Sequence, residues 1–228
     1  MKILRTGPLG VNTLIVPLVR NLVLIVDPAC CKFSRDEEKL SNYLKENNLQ
    51  PAVIVLTHGH FDHVSGLPSL YKSFPNTPIL IHKADSDLIG PDSQKAQYGH
   101  LYPMGFDVFL PFVSNLPAAT AFLEDEKNLL ELLPQYAEDS ELAECLQKWC
   151  VIHTPGHTPG CCCLYNEDDL ILISGDTMFY HSWGRTDLPG GNESEIQKSL
   201  LKIAEIVEED ALVFPGHETS GFKLEENL

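Results

Sequence analysis

Five histidines and two aspartates carry the chemistry that this sequence could do, and four of those seven fall in one run, Thr57-His58-Gly59-His60-Phe61-Asp62-His63. The run follows the apolar stretch Val53-Ile54-Val55-Leu56. While the chain is still extended, His58 and His60 point the same way with Cα atoms roughly 6.6 Å apart. From there two imidazoles can close on one cation at about 2.0 to 2.1 Å each. Asp62 and His63 are adjacent, so they act together only where a helix begins and aims both at a neighbouring position, which makes a second metal site. A single histidine after a strand is ordinarily a hydrogen-bonded structural residue, but three with a carboxylate so close together are hard to explain as packing.

This run alone supplies too few ligands for two metals, and the later strand-like runs each end in another. Cys150 to Thr154 leads into Pro155-Gly156-His157, Leu170 to Ser174 into Gly175-Asp176, and Leu212 to Phe214 into Pro215-Gly216-His217. Gly and Pro let the backbone turn closely beneath a metal. One rim of a β sandwich would collect all these groups. Counting then places His58, His60 and His157 on one metal, Asp62, His63 and His217 on the second, and Asp176 between them. Neither site is closed, so a bridging water fits the gap, with Asp62 and Asp176 as the catalytic carboxylates.

The elements that must position these residues begin with Lys2 to Arg5, Thr13 to Val19 and Leu22 to Val26, which read as an antiparallel meander. Ser34 stands three residues before Glu37, a capping-box spacing, and opens a helix whose apolar face is Leu40, Tyr43 and Leu44. A helix is expected from about His63 to Phe74 and a strand over Ile79 to His82. From residue 84 to 148 helix formers dominate, with helices at Ala118 to Leu133 and Ser140 to Leu146, so this region reads as a helical insertion over the site's edge. Asn192 with Glu195 three residues on starts the last helix, and Leu212 to Phe214 is the last strand. Strands and helices recur in two similar halves, which predicts an α/β fold in four layers, sheet against sheet with helices outside, as one domain over residues 1–228.

Composition narrows the function. A length of 228 residues and 43% hydrophobic content allow a sizeable core, and the formal net charge of -16 repels phosphate backbones, which argues against nucleic acid. Seven cysteines, including Cys30-Cys31 and Cys161-Cys162-Cys163, make no disulfide framework and read as reduced thiols in a cytoplasmic protein. Gly7, Pro8, Asn12 and Pro17 interrupt any signal-like start, and no apolar run approaches the roughly 20 residues of a membrane span.

His58-x-His60-x-Asp62-His63 with His157, Asp176 and His217 resembles the metallo-β-lactamase superfamily across nearly the whole chain. Thr154-Pro-Gly-His-Thr-Pro-Gly160, Ser174-Gly-Asp-Thr177 and Gly184-Arg-Thr-Asp-Leu-Pro-Gly-Gly191 look most like its small glyoxalase II-like hydrolases, which lack the added helical domain. That resemblance implies an αβ/βα sandwich, two divalent metals, zinc first with iron or manganese as alternatives, and hydrolysis of S-acyl glutathione thioesters. A metal-held hydroxide would attack the acyl carbonyl, and a thiol of pKa about 8.5 would leave without a dedicated acid. The sequence departs from the pattern at Glu218-Thr219-Ser220 and at His181-Ser182-Trp183, both near the expected substrate mouth. Arg185 and Asp187 read as a pair that orders their loop, with Arg185, Tyr180, His181 and Lys223 the groups that could contact substrate. His82, His100 and His153 read as structural. The rival is a persulfide dioxygenase with a single iron on His58, His157 and Asp176. A β-lactamase would need export, and a purely structural metal module would not need two metals left open to water.

Overall fold

Short β-branched runs open the chain and pair as their pattern predicts. β1 (Lys2–Thr6), β2 (Val11–Pro17) and β3 (Leu22–Val26) form an antiparallel meander, with Leu4 opposite Thr13 and Ile15 opposite Ile25. In this computed structural model, which describes residues 1–227, the chain continues through helix α1 (Lys39–Glu46), strand β4 (Gln50–Val55), helices α2 (Phe61–Val64) and α3 (Leu67–Ser73) and strand β5 (Ile79–His82). Helix α4 (Ser93–Leu101), strand β6 (Ala121–Leu123) and helices α5 (Leu129–Leu132) and α6 (Ser140–Gln147) follow. Strands β4, β5 and β6 extend β3 in parallel, which gives a six-stranded sheet in the order β1-β2-β3-β4-β5-β6.

The second half builds a facing sheet. β7 (Trp149–His153), β8 (Cys162–Asn166) and β9 (Ile171–Gly175) pair antiparallel, a ribbon of β10 (Met178–Phe179) and β11 (Ser182–Trp183) projects next, and helix α7 (Glu193–Ile206) leads to β12 (Leu212–Pro215) and β13 (Phe222–Lys223). β12 lies parallel to β9, so the order is β13-β12-β9-β8-β7.

Alternation along the strands assigns the layers. Leu14, Val16, Leu24, Val26, Val53 and Val55 face Leu164 and Ile173 of the second sheet, while Ile15, Val23, Ile25 and Ile54 face outward under Leu40, Leu44, Leu67 and Leu70 of α1 and α3. The other outer layer is α7, whose Ile203 packs on Cys163, Leu172 and Val213. The α/β sandwich of four layers is therefore the architecture. Asn192 caps α7 by accepting from the Glu195 N–H at 3.2 Å, the capping that its spacing predicts.

Three expectations about helices change. Ser34 does not cap α1, because its hydroxyl donates to Cys31 O at 3.0 Å in a local turn that Asp36 also serves, and the helix starts only after Glu38. The helix expected from His63 to Phe74 is broken at Ser65-Gly66, where Gly66 N–H donates to Pro28 O at 2.8 Å and a Cβ would stand 2.5 Å from that oxygen. Residues 118–133 are not one helix: Ala121-Phe122-Leu123 pairs with β5 as the edge strand β6, and only Leu129–Leu132 is helical. The region 84–148 is thus only partly helical, and Leu129, Leu133, Leu142 and Leu146 reach into the core between the sheets.

Candidate metal centre

Strands β4, β7, β9 and β12 run in the same sense within their sheets, and their carboxyl ends share one rim. Cys162 N–H donates to Thr57 O and Asn12 N–H to Gly216 O, at 2.8 and 2.7 Å, which ties the rims of the two sheets together. After β4 the chain delivers His58 and His60, and α2 begins at once with Asp62 and His63 in its first turn, the geometry that their adjacency requires. His157 follows β7, Asp176 follows β9 and His217 follows β12.

All seven groups converge. His58 Nε2 lies 3.1 Å and His157 Nε2 2.9 Å from His60 Nδ1. In the neighbouring triad His217 Nε2 is 3.2 Å from both His63 Nε2 and Asp62 Oδ2. Asp176 lies between them, with Oδ1 3.4 Å from His63 Nε2 and Oδ2 3.6 Å from the Nε2 atoms of His157 and His217. A tetrahedral cation with ligands at about 2.0 to 2.1 Å holds them roughly 3.3 Å apart, so these separations fit a metal. Hydrogen bonds fit them worse, since the one ring nitrogen of His60 facing inward cannot serve two neighbours. Asp176 Oδ1 is buried with no hydrogen-bond partner, as an oxygen kept for a cation would be.

The surroundings orient the rings. His58 Nδ1–H donates to Thr57 Oγ1 at 3.1 Å, and Thr57 Oγ1–H donates on to Asp27 Oδ2 at 2.7 Å. That same oxygen accepts His63 Nδ1–H at 2.9 Å, while Asp27 Oδ1 accepts Thr57 N–H at 2.8 Å. His157 Nδ1–H donates to Arg185 O at 2.8 Å. Each outward bond leaves Nε2 as a lone pair aimed at the centre, the carboxylate–histidine–metal logic. Asp85 does the same for the backbone: it accepts Gly59 N–H at 2.9 Å, Gly160 N–H at 2.8 Å and the Thr158 hydroxyl at 2.7 Å, and so joins the His58-His60 loop to the His157 loop. Asp27, Asp85 and Thr57 were not among the candidates from sequence. The only signal was that an acid sits just beyond β3 and another just beyond β5.

Before any metal binds, the buried acids and imidazoles perturb one another, and His63 holds a proton that a metal would displace. Burial opposes ionisation of Asp176, but the charge of His63, whose Nε2 stands 3.4 Å from Oδ1, with His58 and His157, holds its carboxyl well below the usual range. Asp62, likewise opposed by burial, is lowered by His63 and His217. Burial disfavours the His63 cation, yet Asp176, Asp62 and Asp27 together push it well above the usual imidazole range. His58 and His60 go the other way: burial, and then neighbouring histidines, push them well down. Gly216 packs into this centre, where a Cβ would stand 2.3 Å from Asp176 Oδ1 and 2.7 Å from His63 Cε1.

A cavity of about 360 Å³ opens onto both triads through His60, Asp62, His157, Asp176 and His217. Leu9, Met104, Phe106, Phe179, Trp183 and Leu188 give it apolar walls, and Arg185 and Glu218 stand among its lining. Arg185 donates through Nε and Nη2 to Asp187 at 2.7 and 2.8 Å, the loop-ordering pair read from sequence. Three expected substrate contacts lie outside this lining. Tyr180 leans on His181 and Phe222 with its ring tilted to both, His181 N–H donates to Asn227, and the Lys223 ammonium is drawn off by Asp210 and Glu225 at 2.9 and 3.1 Å. Those acids raise the Lys223 pKa to about 12. Met104 and Phe106 belong to the region 84–148 expected over the site's edge, but no spacing marks them as its apolar walls. No helix among the described residues is long and apolar enough to cross a membrane.

The profile of the Metallo-beta-lactamase superfamily matches residues 6–217. A probable metallo-hydrolase of Bacillus subtilis, YqgX, is 31% identical over 196 residues, 85% of this chain and 82% of that protein. A hydroxyacylglutathione hydrolase of Pectobacterium atrosepticum is 30% identical over 198 residues, 87% of this chain but 58% of that protein. Among solved structures, BLEG-1, a B3 metallo-beta-lactamase, superposes with a TM-score of 0.76 at 26% identity, covering 99% of this chain and 94% of its own. TTHA1623 in a di-iron-bound form gives 0.74 at 25% identity, covering 99% and 96%.

Proposed function

Because the chain belongs to the Metallo-beta-lactamase superfamily, we propose that its rim centre is a two-metal hydrolase site acting on S-acyl thioesters of the glutathione type. The reading rests above all on one arrangement, an apolar-walled cavity whose floor is two complete ligand triads joined by Asp176. Support also comes from the Pectobacterium hydroxyacylglutathione hydrolase, a longer protein whose name gives a substrate that is a proposal for this chain.

Two divalent ions on these residues, zinc first, supply a polarised acyl carbonyl and a water of pKa near 7. The chain's own groups do the rest. Asp62 and Asp176, held ionised, accept hydrogen bonds from a water at the floor and so turn its oxygen lone pair toward the cavity. Asp27, Thr57 and Arg185 O hold the imidazoles in the tautomer that faces inward. Leu9, Phe106 and Trp183 enclose the acyl group and exclude bulk water. A thiol leaving group has a pKa of about 8.5, so its departure as thiolate needs no proton donor from the protein. Arg185 is the one permanently cationic side chain among the cavity's described lining residues, but Asp187 takes its Nε and Nη2, so its part here is to order the loop at the cavity mouth.

The competing reading is a persulfide dioxygenase with one iron on His58, His157 and Asp176; members of that family are similar across these ligands, and the Leu188-Pro-Gly-Gly191 run after Asp187 favours the hydrolase. Protein loaded with zinc should release thiol from lactoylglutathione, and stripping with chelator should abolish that release. Two metals per chain with no turnover across a panel of acyl glutathiones and a β-lactam sinks the proposal, and oxygen uptake with glutathione persulfide would replace it.

A further inference from the structure

Four buried side-chain polar atoms have no hydrogen-bond partner among the described residues: Asp176 Oδ1, His60 Nε2, Gln97 Oε1 and His100 Nδ1. The first belongs to the metal centre. The other three are close neighbours, because Gln97 and His100 lie three apart on α4 and so share a face. Gln97 Nε2 donates to Gly59 O at 2.9 Å and to Leu88 O at 2.8 Å, which fixes that face against the His58-Gly59-His60 loop. Across it the His60 and His100 rings stand 5.6 Å apart between centroids at 66°.

His60 differs from the other ligands in which nitrogen it turns inward. His58, His63 and His157 present Nε2 to the centre and donate Nδ1–H to an acceptor behind them. His60 presents Nδ1, so its proton must sit on Nε2, a buried donor for which the structure gives no acceptor. Leaving such a donor unmet costs about 1 to 3 kcal/mol. The facing His100 Nδ1 is a buried nitrogen without a donor, and it has a lone pair to offer when the proton of that ring sits on Nε2.

We propose that His100 Nδ1 accepts the His60 Nε2 proton, through a small ring rotation or one bridging water, and so is a positioning residue for the His58-His60-His157 metal. The segment between β5 and β6 thereby does for His60 what Asp27, Thr57 and Arg185 O do for His63, His58 and His157. The inference concerns metal binding and stands whatever the substrate is.

The test uses the full chain with H100F, which keeps an aromatic ring and removes the acceptor, and H100N, which keeps an acceptor near the position of Nδ1. Cobalt(II) affinities of the two sites are read by chelator competition with the visible spectrum followed. H100F should weaken one site by about 10- to 100-fold and shift its band, with the second site unchanged and H100N within about threefold of the parent. Wild-type affinities and spectrum in H100F overturn the proposal, as does equal weakening in both variants, which would mean packing alone. Should H100F fail to fold, nitrogen-15 NMR of the zinc-loaded parent decides: a slowly exchanging proton on His60 Nε2 supports the assignment, and a rapidly exchanging one overturns it.

Discussion

Replacing Asp85 by Asn should damage both stability and metal binding although Asp85 touches no metal ligand side chain. Its carboxylate is 1% exposed and accepts three bonds, from Gly59 N–H and the Thr158 hydroxyl on Oδ2 and from Gly160 N–H on Oδ1. Asn keeps the volume but has one oxygen. In its better orientation the amide oxygen serves Gly59 and Thr158, and the NH2 group is pressed against the Gly160 N–H, whose α-carbon packs so closely that a Cβ there would stand 2.5 Å from Asp85 Oδ1. One bond to a charged acceptor is lost, about 1.5 to 3 kcal/mol, and two donors now face each other unmet, which brings the cost to roughly 3 to 5 kcal/mol. For a chain of this length each kcal/mol is about 2 to 4 °C, so the metal-stripped variant should melt roughly 10 °C lower. Because Gly59 sits between His58 and His60 and Gly160 follows His157, the affinity of the metal they share should fall by about 10- to 100-fold. Differential scanning calorimetry with zinc titration measures both quantities. A melting point within about 2 °C of the parent, with unchanged zinc affinity, would refute the claim that Asp85 ties these loops together.

Other perturbations probe the same frame. Asp27→Asn removes the charge behind His63 and can keep the acceptor shared by His63 Nδ1–H and the Thr57 hydroxyl only by setting its NH2 against the Thr57 N–H, and should weaken the second metal by about 10- to 100-fold in a chelator competition. Gly216→Ala places a methyl against Asp176 Oδ1 and His63, so metal content per chain should drop while circular dichroism stays native. Asn192→Ala deletes the α7 cap and should cost about 1 kcal/mol, read as a melting point roughly 2 to 4 °C lower. Iodoacetamide on the native protein should label Cys150 first and Cys145 second, since the remaining five cysteines are buried; mass spectrometry of the peptides checks the order. Rapid labelling of Cys161, Cys162 or Cys163 would contradict their packing against the rim.

The ligands were legible because histidine and aspartate at strand ends have few structural tasks, and because the turn between His60 and Asp62 is forced once both pairs must face inward. Residues that act through others left no such mark. Asp27 precedes a proline and reads as the end of a strand, although its left-handed backbone, φ 51°, is what swings the carboxylate back under Thr57 and His63. Helix limits failed where a local signal met a tertiary competitor. Ser34 and Glu37 have capping spacing, but the Asp36 carboxylate also takes the N–H groups of Cys31 and Gly7 and holds the segment as a turn. Ala121-Phe122-Leu123 sits among helix formers, yet the open edge of β5 offers backbone pairing that propensity cannot outweigh.

The same comparison explains why His100 read as structural. The region 84–148 is expected over the site's edge, but the place of His100 on α4 carries no periodic signal, and no spacing says that Asp85 and His100 are the residues that meet the loop holding His58 and His60. Only the direction of the His60 ring makes the position informative: a ligand that coordinates through Nδ1 needs an acceptor on its far side, and α4 is the element the fold places there.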